Sequence, residues 1–186
     1  MTAPINPSPS PSGEIVLDES DVGLAIERMA RGIAARSSGD MPLAIVGLLS
    51  QGDIIAKRLT EQVHALSTSA VFGSIDISLY RDDIFQLENK PSLRSSNLPF
   101  STDGMRVILV DDVLNTGRTI RAALNALFDY GRPACVELAC LVDRGGREVP
   151  IQPDYVGHVL SNTGEKIIVS LKESNGVDLV TLQRKN

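Results

Sequence analysis

The run Arg106-Val107-Ile108-Leu109-Val110-Asp111-Asp112-Val113-Leu114-Asn115-Thr116-Gly117-Arg118-Thr119 limits what this chain can fold into more than any other stretch. Val107 to Val110 are apolar without a break, two Val and one Ile among them, which reads as a short strand buried on both faces, as in a parallel sheet. Two carboxylates stand at its carboxyl end. A turn of small polar residues follows, and then Ile120, Ala123, Leu124, Leu127 and Phe128 keep helical spacing. Strand, polar loop and helix in that order are the unit of an open α/β sheet.

The composition of the loop suits one chemical task. Thr116, Gly117, Arg118 and Thr119 offer hydroxyls, a backbone that a ligand can approach closely, and amide N–H groups at a helix N-terminus, where phosphate is favoured. Asp111 and Asp112 cannot bind phosphate oxygens directly, so the pair suits sugar hydroxyls or a divalent cation that escorts the ligand. Together they point to a phosphorylated sugar; the alternative is a strand capped by an Asp-rich turn, as in many doubly wound proteins. A Walker loop is excluded, because Gly117-Arg118-Thr119 has no Lys and no earlier Gly at the required spacing.

The plan repeats along the chain. Leu43 to Leu49 reads as a core strand, followed by Ser50-Gln51-Gly52-Asp53 and a helix through Ile54, Ile55, Leu59 and Val63. Cys135 to Val142 is another buried strand, and it delivers Asp143-Arg144-Gly145-Gly146-Arg147 to the carboxyl edge of the sheet, where open α/β folds bind ligands. A further strand begins at Asp154-Tyr155-Val156-Gly157, in which Tyr155 either stacks on a flat base or packs in the core. Val71 to Tyr80 alternates from Gly73 onward, which predicts an antiparallel strand with one wet face, and Lys166–Leu171 with Val177–Leu182 predicts a closing hairpin. Before all of these, Asp18 or Ser20 can cap a helix whose stripe is Val22, Ile26, Met29, Ala30 and Ile33.

Val107 to Thr119 resembles, without a gap, the signature of the type I phosphoribosyltransferases, which bind 5-phosphoribosyl-1-diphosphate (PRPP). From Glu14 to the C-terminus the chain is most similar to the PyrR group, the bifunctional pyrimidine operon attenuation proteins and uracil phosphoribosyltransferases. The resemblance implies a three-layer α/β domain, with a mostly parallel central sheet flanked by helices, a flexible lid and a small hood. It implies Asp111 and Asp112 as the catalytic pair on the ribose, reaching Mg2+ through ribose or water. The 5-phosphate would lie against Val113, Leu114, Asn115, Thr116, Gly117, Arg118 and Thr119, and the diphosphate against Ser50, Gln51 and Gly52. The lid would open with Tyr80, Arg81, Asp82 and Asp83.

On the base side the resemblance implies Asp143, Arg144, Tyr155 and the backbone at Val156 and Leu160. Purine enzymes of this type commonly hold a Lys where Asp143 stands, and an ionised Asp cannot donate to a six-oxo group, which leans the choice toward uracil. The implied reaction converts uracil and PRPP to UMP and diphosphate, with UMP-responsive binding to leader mRNA of pyrimidine genes as a second role and a homo-oligomer, dimer or larger, as the assembly. Two departures matter. Relatives usually carry Thr-Arg-Gly where this chain has Ser50-Gln51-Gly52, and neutral Gln51 cannot match a charge-assisted contact to diphosphate. RNA-binding members also usually show a histidine between Gly145 and Arg147 and further basic residues downstream. Here Gly146, Gln152 and His158 stand there, leaving Arg28, Arg31 and Arg147 for an RNA surface. The alternatives are a weakly active or inactive regulator, or a phosphoribosyltransferase for another base.

With 186 residues, 42% of them hydrophobic, the chain suits one globular domain over residues 14–186. Residues 1–13, rich in Pro and Ser, predict a disordered tail. A net charge of −5 lacks the footprint of an obligate nucleic-acid binder. Cys135 and Cys140 suit neither a zinc knuckle nor a redox pair, and no apolar run approaches the roughly 18 residues of a membrane span, so the expected setting is cytoplasmic, without a membrane partner. His64 reads as a surface or packed residue, and Asp83 to Asp103, with little periodicity, as a mobile flap.

Overall fold

The computed structural model describes residues 13–37, 39, 41–80, 95–160 and 164–183. Arg81, Asp82 and Asp83 of the expected lid, most of the expected flap and all but the last residue of the expected tail lie outside the described residues. In chain order the elements are β1 (Glu14–Leu17), α1 (Glu19–Ala35), β2 (Leu43–Leu48), α2 (Gly52–Ala65), β3 (Val71–Ile75), a 3-10 turn (Ser78–Tyr80), β4 (Arg106–Leu114), α3 (Arg118–Phe128), β5 (Cys135–Asp143), β6 (Tyr155–Val159), β7 (Lys166–Ser170), α4 (Lys172–Asn175) and β8 (Leu179–Gln183).

Five strands form one parallel sheet in the order β3-β2-β4-β5-β6. Its strands read as unbroken apolar runs because alternate residues serve two different cores. Leu43, Ile45, Ile108 and Val110 face α1 and α2, whereas Ala44, Val46, Val107 and Leu109 face α3. Above the first core sits a three-stranded antiparallel sheet, β1-β8-β7, the hood. The expected hairpin of β7 and β8 is present, with α4 in its turn, and β1 adds to the outer edge of β8. Helix α1 starts where the sequence places it: Asp18 is the N-cap, and it and Asp21 exchange bonds in a capping box.

One strand differs from expectation. Val71–Ile75 pairs parallel to β2 and ends at Ile75; the chain then turns, with the Ser78 N–H and hydroxyl both donating to Asp76 Oδ1 at 2.8 and 2.5 Å. The alternation suggested a wet face, but Ser74 is buried under the segment around Asn97, with which it makes an isolated antiparallel bridge. Polar residues there answer a neighbouring backbone, not water. His64 is a packed residue: its Nε2 lies 2.8 Å from the Ala70 carbonyl, tying the end of α2 to the entry of β3.

No helix among the described residues is long and apolar enough to cross a membrane. Both cysteines are free thiols, and burial, assisted by the negative charges of Asp143 and Asp111, pushes the Cys140 thiol up to about 12. That thiol stays protonated and inert.

Helix α2 lies very close to the sheet where β2 ends. A Cβ on Gly47 would stand 2.3 Å from the Asp53 Cα, and one on Gly52 2.5 Å from the Val110 carbonyl oxygen. These are backbone contacts that cannot swing aside, so Gly47→Ala is expected to lower stability by about 1–3 kcal/mol in urea denaturation, through displacement of the N-terminus of α2. An unchanged midpoint and slope would show that the helix can move away freely.

Candidate active site

The sheet's order reverses between β2 and β4: β3 lies outward from β2 on one side, β5 and β6 outward from β4 on the other. Crossover helices leave in opposite directions there, so a crevice opens at the carboxyl ends. Register deepens it. The β2 ladder with β4 ends at Gly47 opposite Val110, while β4 runs on beside β5 to Leu114 opposite Asp143. Asp111 and Asp112 therefore continue the strand past the point where its neighbour on that side has turned away. The strand was expected to stop before them; instead the longer β5 holds them in extended conformation.

The resulting cleft has a volume of about 260 Å³ and is lined by Leu48, Leu49, Ser50, Gln51, Ile77, Ser78, Asp111, Asp112, Val113 and Thr119. Asp111 is buried, and its Oδ1 accepts the Asp112 N–H at 3.0 Å; Asp112 Oδ1 accepts the Val113 N–H at 2.8 Å. Burial pushes the Asp112 carboxyl above the ordinary range, partly opposed by the bonds from Val113 and Asp111. A carboxylate in this position is best satisfied by hydroxyl donors or a cation brought by a ligand.

Two helix N-termini flank the pair. Gln51 and Gly52 open α2, and the peptide bond Leu49-Ser50 is cis. Gly117 is the N-cap of α3 with φ of 86°, and a Cβ there would meet Val149 Cγ2 at 2.8 Å, so both conformation and space call for glycine. Neither cap supplies a side-chain bond to its helix; the Ile54 N–H donates to Asp53 Oδ1 at 2.9 Å and the Arg118 N–H to Thr116 Oγ1 at 3.3 Å, and the positive ends of both helix dipoles point at the cleft, where an anion is favoured.

The loop Asn115, Thr116, Gly117 and Arg118 is held from behind by the segment after β5. Thr116 O accepts the N–H groups of Glu148 and Val149 at 3.0 and 3.3 Å, Leu114 O accepts that of Arg144 at 3.0 Å, and Arg118 pairs with Glu148 at 2.6 Å. Arg147 closes this support. Its guanidinium donates to Asp143 Oδ2 at 2.7 Å and to the carbonyls of Asn115 and Ile151, each at 2.9 Å. Arg147, expected on an RNA surface, thus has its guanidinium turned into this loop, with its side chain 16% exposed. The other oxygen of Asp143 accepts the Gly145 N–H at 2.9 Å, so the same carboxylate that holds Arg147 also shapes the turn at this edge.

Tyr155 also needs correction. It begins β6 opposite Ala139, well before the ligand edge, and is buried between α1 and β5. Its hydroxyl donates to Glu137 Oε2 at 2.6 Å and accepts from Arg106 Nη2 at 2.7 Å. Burial, and next the bond to Glu137, pushes its hydroxyl up to about 12. The buried Arg106 cation is what selects an aromatic with a polar tip here. Val156, opposite Cys140, is likewise mid-strand. The base side that remains at the edge is Asp143, Arg144, Val159 and Leu160, where the Leu160 N–H donates to the Asp143 carbonyl at 2.8 Å and Val159 is exposed. Of the residues expected on RNA, Arg31 pairs with Glu27 at 2.7 Å and Arg28 donates to the Gly157 carbonyl. Tyr80 closes the 3-10 turn and bonds Asp129. Ser78 lines the cleft unforeseen; the Asp76-Ile77-Ser78 spacing, which favours a side-chain turn, was its signal.

A five-stranded parallel sheet with a paired-carboxylate strand end and a glycine-capped loop after it is the architecture of a type I phosphoribosyltransferase. The phosphoribosyl transferase domain family matches residues 12–172. Hypoxanthine phosphoribosyltransferases share the fold: that of Trypanosoma cruzi superposes with a TM-score of 0.69 at 20% identity, covering 93% of this chain and 97% of its own. That of Staphylococcus aureus gives 0.68 at 19%, covering 91% of each. Among curated relatives, the bifunctional protein PyrR of Akkermansia muciniphila is 72% identical over 172 residues, covering 92% of this chain and 97% of that protein. The Elusimicrobium minutum PyrR is 45% identical over 175 residues, covering 93% and 98%. This chain belongs to the PyrR family, as the resemblance of its signature implied.

Among the described residues no cluster of three or more His, Cys, Asp or Glu is placed to hold a metal by itself. Asp111 and Asp112 fit a Mg2+ that keeps its waters and shares substrate oxygens. The opposite-edge position of Tyr155 gives a test. Tyr155→Phe is expected to cost about 1–2 kcal/mol of unfolding free energy, because a hydroxyl bonded to two charged groups is lost, while the KM for the base stays unchanged. A raised KM with unaltered stability would return Tyr155 to the site.

Proposed function

We propose that this protein transfers the phosphoribosyl group of PRPP to uracil, releasing diphosphate and forming UMP, and that it also acts as a UMP-responsive binder of leader RNA from pyrimidine genes. The observation that carries the enzymatic reading is the alternation of anion and hydroxyl sites along one cleft. An α2 N-terminus, two carboxylates and an α3 N-terminus match the diphosphate, the diol and the 5-phosphate of PRPP in order.

In the reaction the C1–O bond to diphosphate breaks, a C1–N1 bond to uracil forms, and the N1 proton leaves to solvent. Asp111 and Asp112 accept hydrogen bonds from the ribose hydroxyls and, by their charge, favour the positive ring of an oxocarbenium-like state. The Asn115–Thr119 loop anchors the 5-phosphate through backbone N–H groups and threonine hydroxyls, so that C1 meets the base in one orientation. Ser50, Gln51 and Gly52 receive the departing diphosphate. Mg2+, when bound, neutralises charge on that leaving group. On the base side, the edge at Asp143 to Gly145 and the backbone at Leu160 support a flat ring beside the exposed Val159. The RNA-binding surface is left to Arg28 and Arg31 of α1, and the assembly we propose is a homo-oligomer.

The test is diphosphate release with uracil, PRPP and Mg2+, run beside hypoxanthine and orotate. Uracil alone is expected to support turnover; a preference for another base would replace the substrate in this reading. Asp112→Asn is expected to lower kcat/KM on the order of 100-fold. Since burial raises the Asp112 pKa, PRPP affinity in the unaltered protein should begin to fall, as pH drops, above the range of an ordinary carboxylate. Loss of affinity only in that ordinary range would show that Asp112 is not the titrating ligand group. For the regulatory role, retention of a leader transcript should rise with UMP and fall with salt.

A further inference from the structure

We propose that Ser174 and Asn175 of the hood are positioning residues for the diphosphate-binding loop, acting through the side chain of Gln51. The inference rests on the PRPP reading above and concerns what holds that loop in place.

Gln51 occupies the N-cap position of α2 but gives the helix no capping bond. Its amide reaches across to α4 instead. Gln51 Nε2 donates to Asn175 Oδ1 at 3.2 Å, and the single hydroxyl proton of Ser174 has three acceptors in reach, Asn175 Oδ1 at 2.7 Å, Gln51 Oε1 at 3.1 Å and the Leu171 carbonyl at 3.3 Å. The Leu171 N–H also approaches Asn175 Oδ1, at 3.4 Å, so this one oxygen gathers three donors.

A latch is useful only if its far end is fixed, and α4 is. Arg58 lies two turns along α2 from Gln51, on the same face. Its Nε donates to Glu173 Oε1 at 2.8 Å, and Nη1 and Nη2 each bond Asp178 at 2.8 Å. Asp178 in turn accepts the Lys172 N–H at 2.8 Å, which holds the first residue of α4, and Gly176, with φ of 77°, ends it. Burial pushes the Asp178 carboxyl up, but Arg58 and the Lys172 N–H outweigh it and keep the group ionised. The charged triad therefore seats α4 on α2, and the neutral Gln51 contact carries that seating to the mouth of the cleft.

The consequence is preorganisation. With its side chain held by the hood, Gln51 cannot fold back to cap α2 or cross the cleft, so the backbone from Ser50 to Gly52 keeps one form at the mouth of the cleft. Without the hood contacts the loop must be ordered at the cost of binding free energy, which weakens PRPP but leaves the bond-breaking step as it was. It also explains how a neutral residue serves at a position where relatives usually carry Arg: the side chain works on the protein and the backbone works on the ligand.

The experiment is calorimetric titration of the full chain with PRPP and Mg2+, and separately with UMP, for the unaltered protein, Gln51→Ala, Asn175→Ala and the double variant. UMP carries the 5-phosphate and the base but no diphosphate. Each single change is expected to weaken PRPP about three- to tenfold, the worth of one or two side-chain hydrogen bonds. The double variant should be no weaker than either single and UMP affinity unchanged, and for Asn175→Ala, which lies outside the cleft, kcat at saturating PRPP should stay within about twofold. Ser174→Ala, which removes only a hydroxyl, should show the same selective loss if Asn175→Ala disturbs folding. Equal PRPP affinity in all variants, losses that multiply in the double, or a parallel loss for UMP would overturn the positioning role. Failure of the unaltered protein to take up PRPP at all would instead overturn the PRPP reading and this inference with it.

Discussion

The structure depends on one mismatch of length: β4 outruns β2. From Val107 to Val110, where it is paired on both sides, β4 presents apolar side chains to two cores; once β2 has turned into α2, its next residues border an open crevice on one side and the β5 ladder on the other. Carboxylates can occur there because the crevice brings them solvent or ligand, and they are held rigidly because β5 still supplies backbone bonds. Extending β2 by two residues would cut Asp111 and Asp112 off from the crevice, at a desolvation cost of several kcal/mol.

Everything around the crevice then works to hold it open and shaped. The close approach of α2, possible because Gly47 and Gly52 lack side chains, sets one wall. The other is the phosphate loop, which has little internal bonding of its own and takes its form from Arg147 and the strand of carbonyls it collects. Both walls are thus stabilised from outside the site. On both walls the support comes through carbonyls and side chains on the side away from the cleft.

The opposite edge of the sheet shows the complementary use of charge. Arg106, Glu137 and Tyr155 form a buried network that also bonds the Ile33 carbonyl and Ser37 at the end of α1. Desolvation opposes charging of Glu137, and Arg106 and Tyr155 more than offset it, holding its carboxyl below the ordinary range. Because every donor and acceptor in this network is matched within the protein, it anchors the helix to the sheet and offers nothing to a ligand. The acid pair at the other edge instead borders a cleft, and no such charged network of side chains closes over it among the described residues.

Local pattern alone was enough to locate the strands β2, β4 and β5, the N-cap of α1 and the acid pair at the end of β4, because each is written in contiguous residues whose spacing or residue type has one physical meaning. Family membership was legible for the same reason. What the sequence could not decide was pairing direction, register and the far partners of polar side chains. Val71 to Ile75 has the alternation of an antiparallel strand, and only its seat beside β2 makes it parallel. Tyr155 carries the chemistry of a base platform, and only the register of β6 places it beside Arg106. Arg147 has the charge of a surface contact, and only the fold of its loop turns it inward. Gln51 looked like a missing charge until α4, more than a hundred residues on, was found beside it. Short-range periodicity is a property of the chain, whereas a hydrogen-bond partner across the fold exists only once the sheet order has brought the two segments together.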